Sequence, residues 1–283
     1  MTDRFPEWLN SHSLVDSAIL NFLNRHRSTF LNQVTATVQF SDFEIDGEAD
    51  KAILSRFVAT KDSLFYAKLL KRALESFKSS ELLVDLGTGS AIPLISAMSS
   101  PHRSVRAIGV DLDDAAVKVA RSNVAHFGMS DRIEIIKNNL DNFLRVTEGY
   151  HGHSKIVASN PPYVSCPDFS DDALMPVNGG SDGTHYLQKI LAYDFPDNSC
   201  LAIQWGSITN PVKMFDLIES KFQVLSLHAW EVPFGNYTRM PHVNSYLVKQ
   251  RDNNLATFGG NPGELQTQLI FGAVLVQRKP FEE

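Results

Sequence analysis

From residue 81 onward the chain alternates short apolar runs with amphipathic stretches, and this alternation constrains the fold more than any other feature. The apolar runs are "LLVDLG", "VRAIGVDL", "RIEIIK", "KIVASN", "CLAIQWG", "QVLSLHAW" and "LIFGAVLVQ". Between them "AIPLISAMS", "DDAAVKVARSNVAHFG", "HYLQKILAY" and "NPVKMFDLIESKF" carry apolar residues at helical spacing. Strands that are apolar throughout are buried on both faces, and strands that alternate with helices pair in parallel. The expectation is an α/β fold with a mostly parallel seven-stranded sheet and helices on both faces. Helix-boundary chemistry agrees. Asn210 precedes Pro211 at one helix start, Asp113 and Asp114 are placed to cap another, and Gly128 stands at its exit.

Residues 1–78 read differently, as a small helical segment or lid ahead of a domain spanning 79–283. Val15, Ile19, Phe22 and Leu23 share one helical face. In "KDSLFYAKLLKRALESF" Asp62 reads as an N-cap, followed by Phe65, Leu69, Leu70, Ala73 and Phe77 at helical spacing. Composition bounds the rest. A net charge of −6 argues against an extended nucleic-acid surface. The two cysteines, Cys166 and Cys200, form neither a disulfide framework nor a metal spacing, so no metal is expected and a cytoplasmic setting is. No run has the length of a membrane span.

Ligands of such sheets bind outside the carboxyl ends of the strands. Three segments lie there. In "VDLGTGSAIP" Gly87 and Gly89 allow a sharp turn and close backbone approach to a ligand, or a tight turn with no ligand. No Gly-Lys-Ser/Thr follows, so this is not a phosphate loop, and Ile92 spoils a dinucleotide fingerprint. Asp111, at the end of the second strand, suits the two hydroxyls of a ribose. In "SNPPYVS", Asn160 offers a carbonyl acceptor and Pro161 a backbone one, on a loop stiffened by Pro162. Two acceptors at this spacing hold both hydrogens of an –NH2 group. Tyr163 adds an aromatic face for a planar amide or base.

These segments, in this order, resemble class I S-adenosylmethionine-dependent methyltransferases, and within them the HemK family of protein-glutamine N5-methyltransferases. "LVDLGTGSAIPLISA" resembles the cofactor loop, "GVDLDDAAVKVARSN" the ribose-binding strand and helix, and "VASNPPYVS" the catalytic segment. "NGGSDGTHYLQKIL" resembles the stretch that follows, and "FVATKDSLFY" is similar only loosely to the segment before the cofactor domain. The resemblance, over residues 57–206, implies a Rossmann-like fold and S-adenosyl-L-methionine as cofactor. It implies that Asp85, Gly87 and Gly89 line the methionine part of the cofactor, that Asp111 holds the ribose, that Asn139 meets the adenine amino group, and that Thr88 and Leu112 also bind the cofactor. Asn160 would border the cofactor and, with Pro161 and Tyr163, position the acceptor nitrogen. Two departures stand out. Ala91 replaces a glycine of the cofactor loop. A long connection, residues 233–266, joins the last two strands; its Phe234, Tyr237, Met240, His242 and Tyr246 suggest a substrate cap.

The reaction implied is in-line transfer of a methyl group to an amide or amino nitrogen of a protein glutamine or a small metabolite. Adenine-N6 methylation of RNA or DNA uses the same clamp, since adenine N6 is also a planar –NH2. A third reading clamps the cofactor's own amino nitrogen and releases methylthioadenosine, and a non-enzymatic scaffold is the fourth. None of the nine histidines falls in a diagnostic pattern, and His185 reads as a surface or helix-start residue.

Overall fold

The computed structural model describes residues 5–10, 13–30, 61–99, 105–140, 142, 155–168 and 174–278. Of the N-terminal segment, residues 1–4, 11–12 and 31–60 lie outside the described residues, as do 57–60 of "FVATKDSLFY". The elements in chain order are α1 (Leu14–Arg25), β1 (Thr29–Phe30), α2 (Lys61–Ser76), β2 (Leu82–Leu86), α3 (Ile92–Met98), β3 (Arg106–Asp111), α4 (Asp114–His126), β4 (Ile133–Lys137) and β5 (Lys155–Ser159). Then come α5 (His185–Ala192), β6 (Ser199–Gly206), α6 (Pro211–Lys221), β7 (Phe222–Pro233), α7 (Pro241–Asp252) and β8 (Thr267–Gln277). The hydrogen-bonded strand order is β1-β7-β8-β6-β5-β2-β3-β4. All seven expected strands are present, and the fold is the Rossmann-like α/β sheet that the sequence implies. The two-residue β1, parallel to β7, adds an eighth strand that no periodicity announces.

The chain forms two compact units, one of residues 34–160 and 195–203, the other of residues 1–33, 161–194 and 204–283. In the first, β5 pairs with both β2 and β6, β2 with β3, and β3 with β4, all in parallel. Every residue of β2 and β5 is buried, which is why these strands read as apolar runs apart from Asp85, Lys155 and Ser159. Helix α2 buries Phe65, Tyr66, Leu69, Leu70 and Ala73, the face that the spacing gives, while Phe77 lies just past the helix end. Asp113 caps α4 by accepting from Ala115 N and Ala116 N, and Gly128 exits with φ +63°.

The second unit is organised around the antiparallel pair β7–β8, in register from Phe222↔Gln277 to Pro233↔Thr267 with an irregularity between Val224 and Ser226. Helix α1 buries the expected Val15, Ile19, Phe22 and Leu23. Phe22 stacks on Phe215 of α6 with centroids 4.0 Å apart, a contact whose burial contributes about 1.5–3 kcal/mol per ring. Asn210 caps α6 through Lys213 N, with Pro211 at its first turn. The long connection between the last two strands is ordered and contains α7. Asn244 on that helix donates to Gln266 Oε1 at 2.7 Å and to Thr238 O at 3.0 Å, which closes the connection on itself.

Candidate active site

The register of the first unit sets the level of the site. Leu86 pairs with Val110 on one side and with Ser159 on the other. Gly87, Asp111 and Asn160 therefore follow one another across three adjacent strand ends. At the usual strand spacing, Asp111 and Asn160 leave the sheet about 10 Å apart.

Gly87 and Gly89 have φ of +75° and +56°, and the backbone N–H groups of Gly87 and Thr88 donate to Val110 O. A Cβ on Gly87 would meet no atom of the described residues within 4 Å, so among them this face of the loop is clear. Ala91 shares the left-handed conformation, φ +58°, although it carries a Cβ and is fully buried. Asn123 of α4 braces the loop by donating to Ser90 O at 2.9 Å.

The two acidic residues differ in kind. Asp85 is buried, with Oδ1 accepting from Tyr66 Oη at 2.5 Å and Oδ2 from Thr88 Oγ1 at 2.7 Å. Burial pushes its pKa up to about 6 against those two hydrogen bonds. Burial, then the charge of Asp85, holds the Tyr66 phenol well above its ordinary range. Only 1% exposed, Asp85 shapes the loop from within. Asp111 accepts from Gly89 N at 2.8 Å and Asp113 N at 3.0 Å, so it joins the glycine loop to the turn after β3. Burial raises its pKa, and those N–H groups oppose the rise. A carboxylate has about four acceptor positions, which leaves Asp111 capacity for hydroxyl donors. Beside it Leu112 is 63% exposed, an apolar side chain standing at a polar strand end. Asn139, exposed, accepts from Asn142 N at 2.7 Å and so starts the turn after β4.

Asn160 follows β5. Its Nδ2 donates to Asp62 Oδ2 at 3.2 Å, while its Oδ1 is buried without a hydrogen-bond partner among the described residues. A buried carbonyl oxygen in this state forgoes a stabilising interaction and marks a position awaiting a donor. Asp62 corrects the sequence reading. It lies within the first turn of α2, where its carboxylate accepts from Asn160, rather than at the N-cap. Neither Asp62 nor Tyr66 was identified with the site from sequence. A tyrosine in the apolar face of α2 was the available signal.

Pro161–Tyr163 belong to the second unit, where the glycine-rich stretch of residues 179–183 supports them. Val164 and Asn178 form a parallel bridge, and Thr209 Oγ1 donates to Tyr163 O at 2.8 Å. A Cβ on Gly183 would come within 2.4 Å of Tyr163 O, and one on Gly206 within 2.6 Å of the Tyr163 ring. Tyr163 is 7% exposed, so the open aromatic face expected from sequence is mostly covered. Asp182 receives hydrogen bonds from Lys213 Nζ (2.8 Å) and from Thr184 Oγ1 (2.6 Å). Tyr246 of α7 donates to Ser181 O at 3.0 Å. His185 is the exposed first residue of α5, as its context suggests. Among the described residues no cluster suits a metal ion, and no helix is long and apolar enough to cross a membrane.

Comparison with known proteins bears on this arrangement. Residues 67–160, from α2 to Asn160, match the family described as ribosomal protein L11 methyltransferase (PrmA). A release factor glutamine methyltransferase of Gloeobacter violaceus is 34% identical over 122 residues, covering 39% of each chain. A ribosomal protein uL3 glutamine methyltransferase of Bordetella pertussis is 29% identical over 120 residues, 40% of this chain and 38% of the relative. A tRNA1(Val) (adenine(37)-N6)-methyltransferase of Bacteroides thetaiotaomicron is 30% identical over 106 residues, 35% and 42% of the two chains. The chain thus spans about two fifths of the length of these relatives. Among solved structures it is similar to the N-terminal domain of human METTL16 in complex with SAH, with TM-score 0.49, 14% identity and 84% and 79% of the chains covered. Over residues 67–160, then, the chain is similar to methyltransferases of the PrmA type, and its similarity to glutamine methyltransferases is the one its motifs imply.

Proposed function

We propose that this chain is an S-adenosylmethionine-dependent N-methyltransferase acting on the carboxamide of a protein glutamine. The single observation that carries the reading is the buried Oδ1 of Asn160, without a partner among the described residues, at the same sheet level as Gly87 and Asp111. The residues fit the cofactor. The clear face of Gly87, the carboxylate of Asp111 and the exposed Leu112 suit a nucleoside, and the span of about 10 Å to Asn160 leaves room for its methionine part. Asp111 would hold the ribose, Leu112 would cover the base, Asn139 would meet the adenine amino group, and Asp85 with Thr88 would keep the glycine loop in shape. Bound S-adenosylmethionine supplies a methyl group already activated by its sulfonium.

What remains for the protein is alignment, which can contribute about 7–11 kcal/mol in favourable cases. Asn160 Oδ1, with Pro161 O, would accept the two N–H bonds of the acceptor and aim its lone pair. Tyr163, packed as it is, would stiffen the clamp more than stack on the acceptor. A cytoplasmic setting suits a protein acceptor. The named activities of the glutamine-methylating relatives favour a protein glutamine over a small amine. Adenine N6 is the second reading, favoured by the similarity to a tRNA adenine methyltransferase.

The test is mass spectrometry of purified protein with S-adenosylmethionine, alone and with fractionated cell extract. We expect S-adenosylhomocysteine only with extract, a protein fraction carrying methylglutamine, and loss of turnover in Asn160→Ala with cofactor affinity retained. Methylated adenosine in the RNA fraction would replace the first reading by the second. Methylthioadenosine without extract would overturn both.

A further inference from the structure

Helix α2 touches the site twice from one side. Tyr66 donates to Asp85, which shapes the glycine loop, and four residues earlier Asp62 accepts from Asn160. The second contact decides an orientation. A carboxamide has two ends of nearly equal shape and opposite polarity, and little besides its hydrogen bonds sets which way it points. An ionised carboxylate only accepts. It therefore selects the rotamer that turns Nδ2 toward it, because the opposite flip would bring two oxygens face to face at about the 3.2 Å now separating donor and acceptor. With Nδ2 held, Oδ1 must point the other way, and that atom is the buried one lacking a partner among the described residues.

We propose that Asp62 is a positioning residue that fixes the flip of the Asn160 carboxamide, so that an acceptor, not a donor, meets the –NH2 group to be methylated. The inference rests on the reading of Asn160 as the acceptor clamp. A flipped Asn160 would present its own N–H bonds to those of the substrate and leave the attacking nitrogen unaligned. Orientation, not charge, is the required quantity. An asparagine at position 62 retains an accepting oxygen but adds a donor that could pair with the opposite flip, so it selects the orientation less firmly, whereas alanine retains nothing.

The experiment has two readouts on the full chain labelled with 15N-asparagine. The Asn160 side-chain NH2 signal, assigned by its loss in Asn160→Ser, reports solvent exchange. Turnover is followed with S-adenosylmethionine and a pool of glutamine-containing peptides. Asp62→Ala should speed exchange of the Asn160 NH2 at least tenfold and lower kcat tenfold or more, with cofactor Kd unchanged. Asp62→Asn, which can also donate to a flipped Asn160, should fall between the alanine variant and the unmodified protein on both. If Asp62→Ala does not fold, Asp62→Leu carries the same readouts. Unchanged exchange in the alanine variant would overturn the proposal. So would faster exchange with undiminished kcat, or an asparagine variant that keeps the protection yet loses turnover, which would assign Asp62 a charge role. If the unmodified protein methylates no glutamine peptide, the glutamine reading fails, and the exchange data alone decide whether Asp62 orients Asn160.

Discussion

Two glycine-rich loops, residues 87–91 and 179–183, use the same residue for opposite reasons. Around Gly87 a side chain would find nothing within 4 Å among the described residues, and glycine serves the positive φ and the clear face. At Gly179 and Gly183 a side chain would run into backbone, 2.8 Å from Tyr163 Cα and 2.4 Å from Tyr163 O. The first loop keeps protein away from a surface, and the second brings two pieces of backbone together. Motif resemblance alone does not separate a glycine that faces a ligand from one that is packed upon. The acidic residue of each region follows the same division. Asp85 is paired only with neutral hydroxyls and its carboxyl is raised, whereas at Asp182 the hydrogen bonds from Lys213 and Thr184 outweigh burial and hold the carboxyl below its usual range.

The comparison breaks most visibly at the glycines. Gly183→Ala adds a left-handed strain to a backbone collision and should cost about 3 kcal/mol or more in denaturant unfolding. Gly87→Ala bears the strain alone, about 1–2 kcal/mol, and should instead weaken cofactor binding. Equal stability losses would mean that the loops do not differ as described. Next in size is a pH effect. The raised Asp85 binds its proton more tightly folded than unfolded, so stability falls as pH rises from about 4 to about 6, by about 3 kcal/mol in all. Asp85→Asn removes that dependence, and its stability relative to the unmodified protein should climb by this amount between pH 4 and 7. Asp182 has the opposite sign. Its contribution is present above the ordinary aspartate pKa and is lost as pH falls through the depressed one, so Asp182→Asn should matter near neutrality and cease to matter in acid. The smallest change sharpens the comparison at Ala91. Ala91→Gly relieves a left-handed alanine and should raise stability by up to about 1 kcal/mol, read as a shift in denaturation midpoint.

How much of this was legible in the sequence follows from range. The strands were, because β2, β5 and β6 are buried along their whole length and so are apolar along their whole length, apart from a few polar positions such as Asp85. Local caps were too, since Asp113 and Asn210 act on residues two or three positions away. Asp62 was not. Periodicity does not fix a helix start to one residue, and its partner Asn160 is 98 positions distant. Helix α7 was hidden because only Val243, Leu247 and Gln250 are buried along it, too narrow a stripe to announce a helix inside a long connection. The packed glycines at 179 and 183 were visible as residues, but the backbone they approach could only be seen in three dimensions.

Asp62 and Tyr66 stand one helical turn apart, separated by about 6 Å along a single rigid rod. The glycine loop after β2 and the Asn160 carboxamide are thus both gauged from one datum. An error in the placing of α2 is shared by the two, and their mutual alignment, on which the proposed in-line displacement would depend, is more tolerant of it than either position alone.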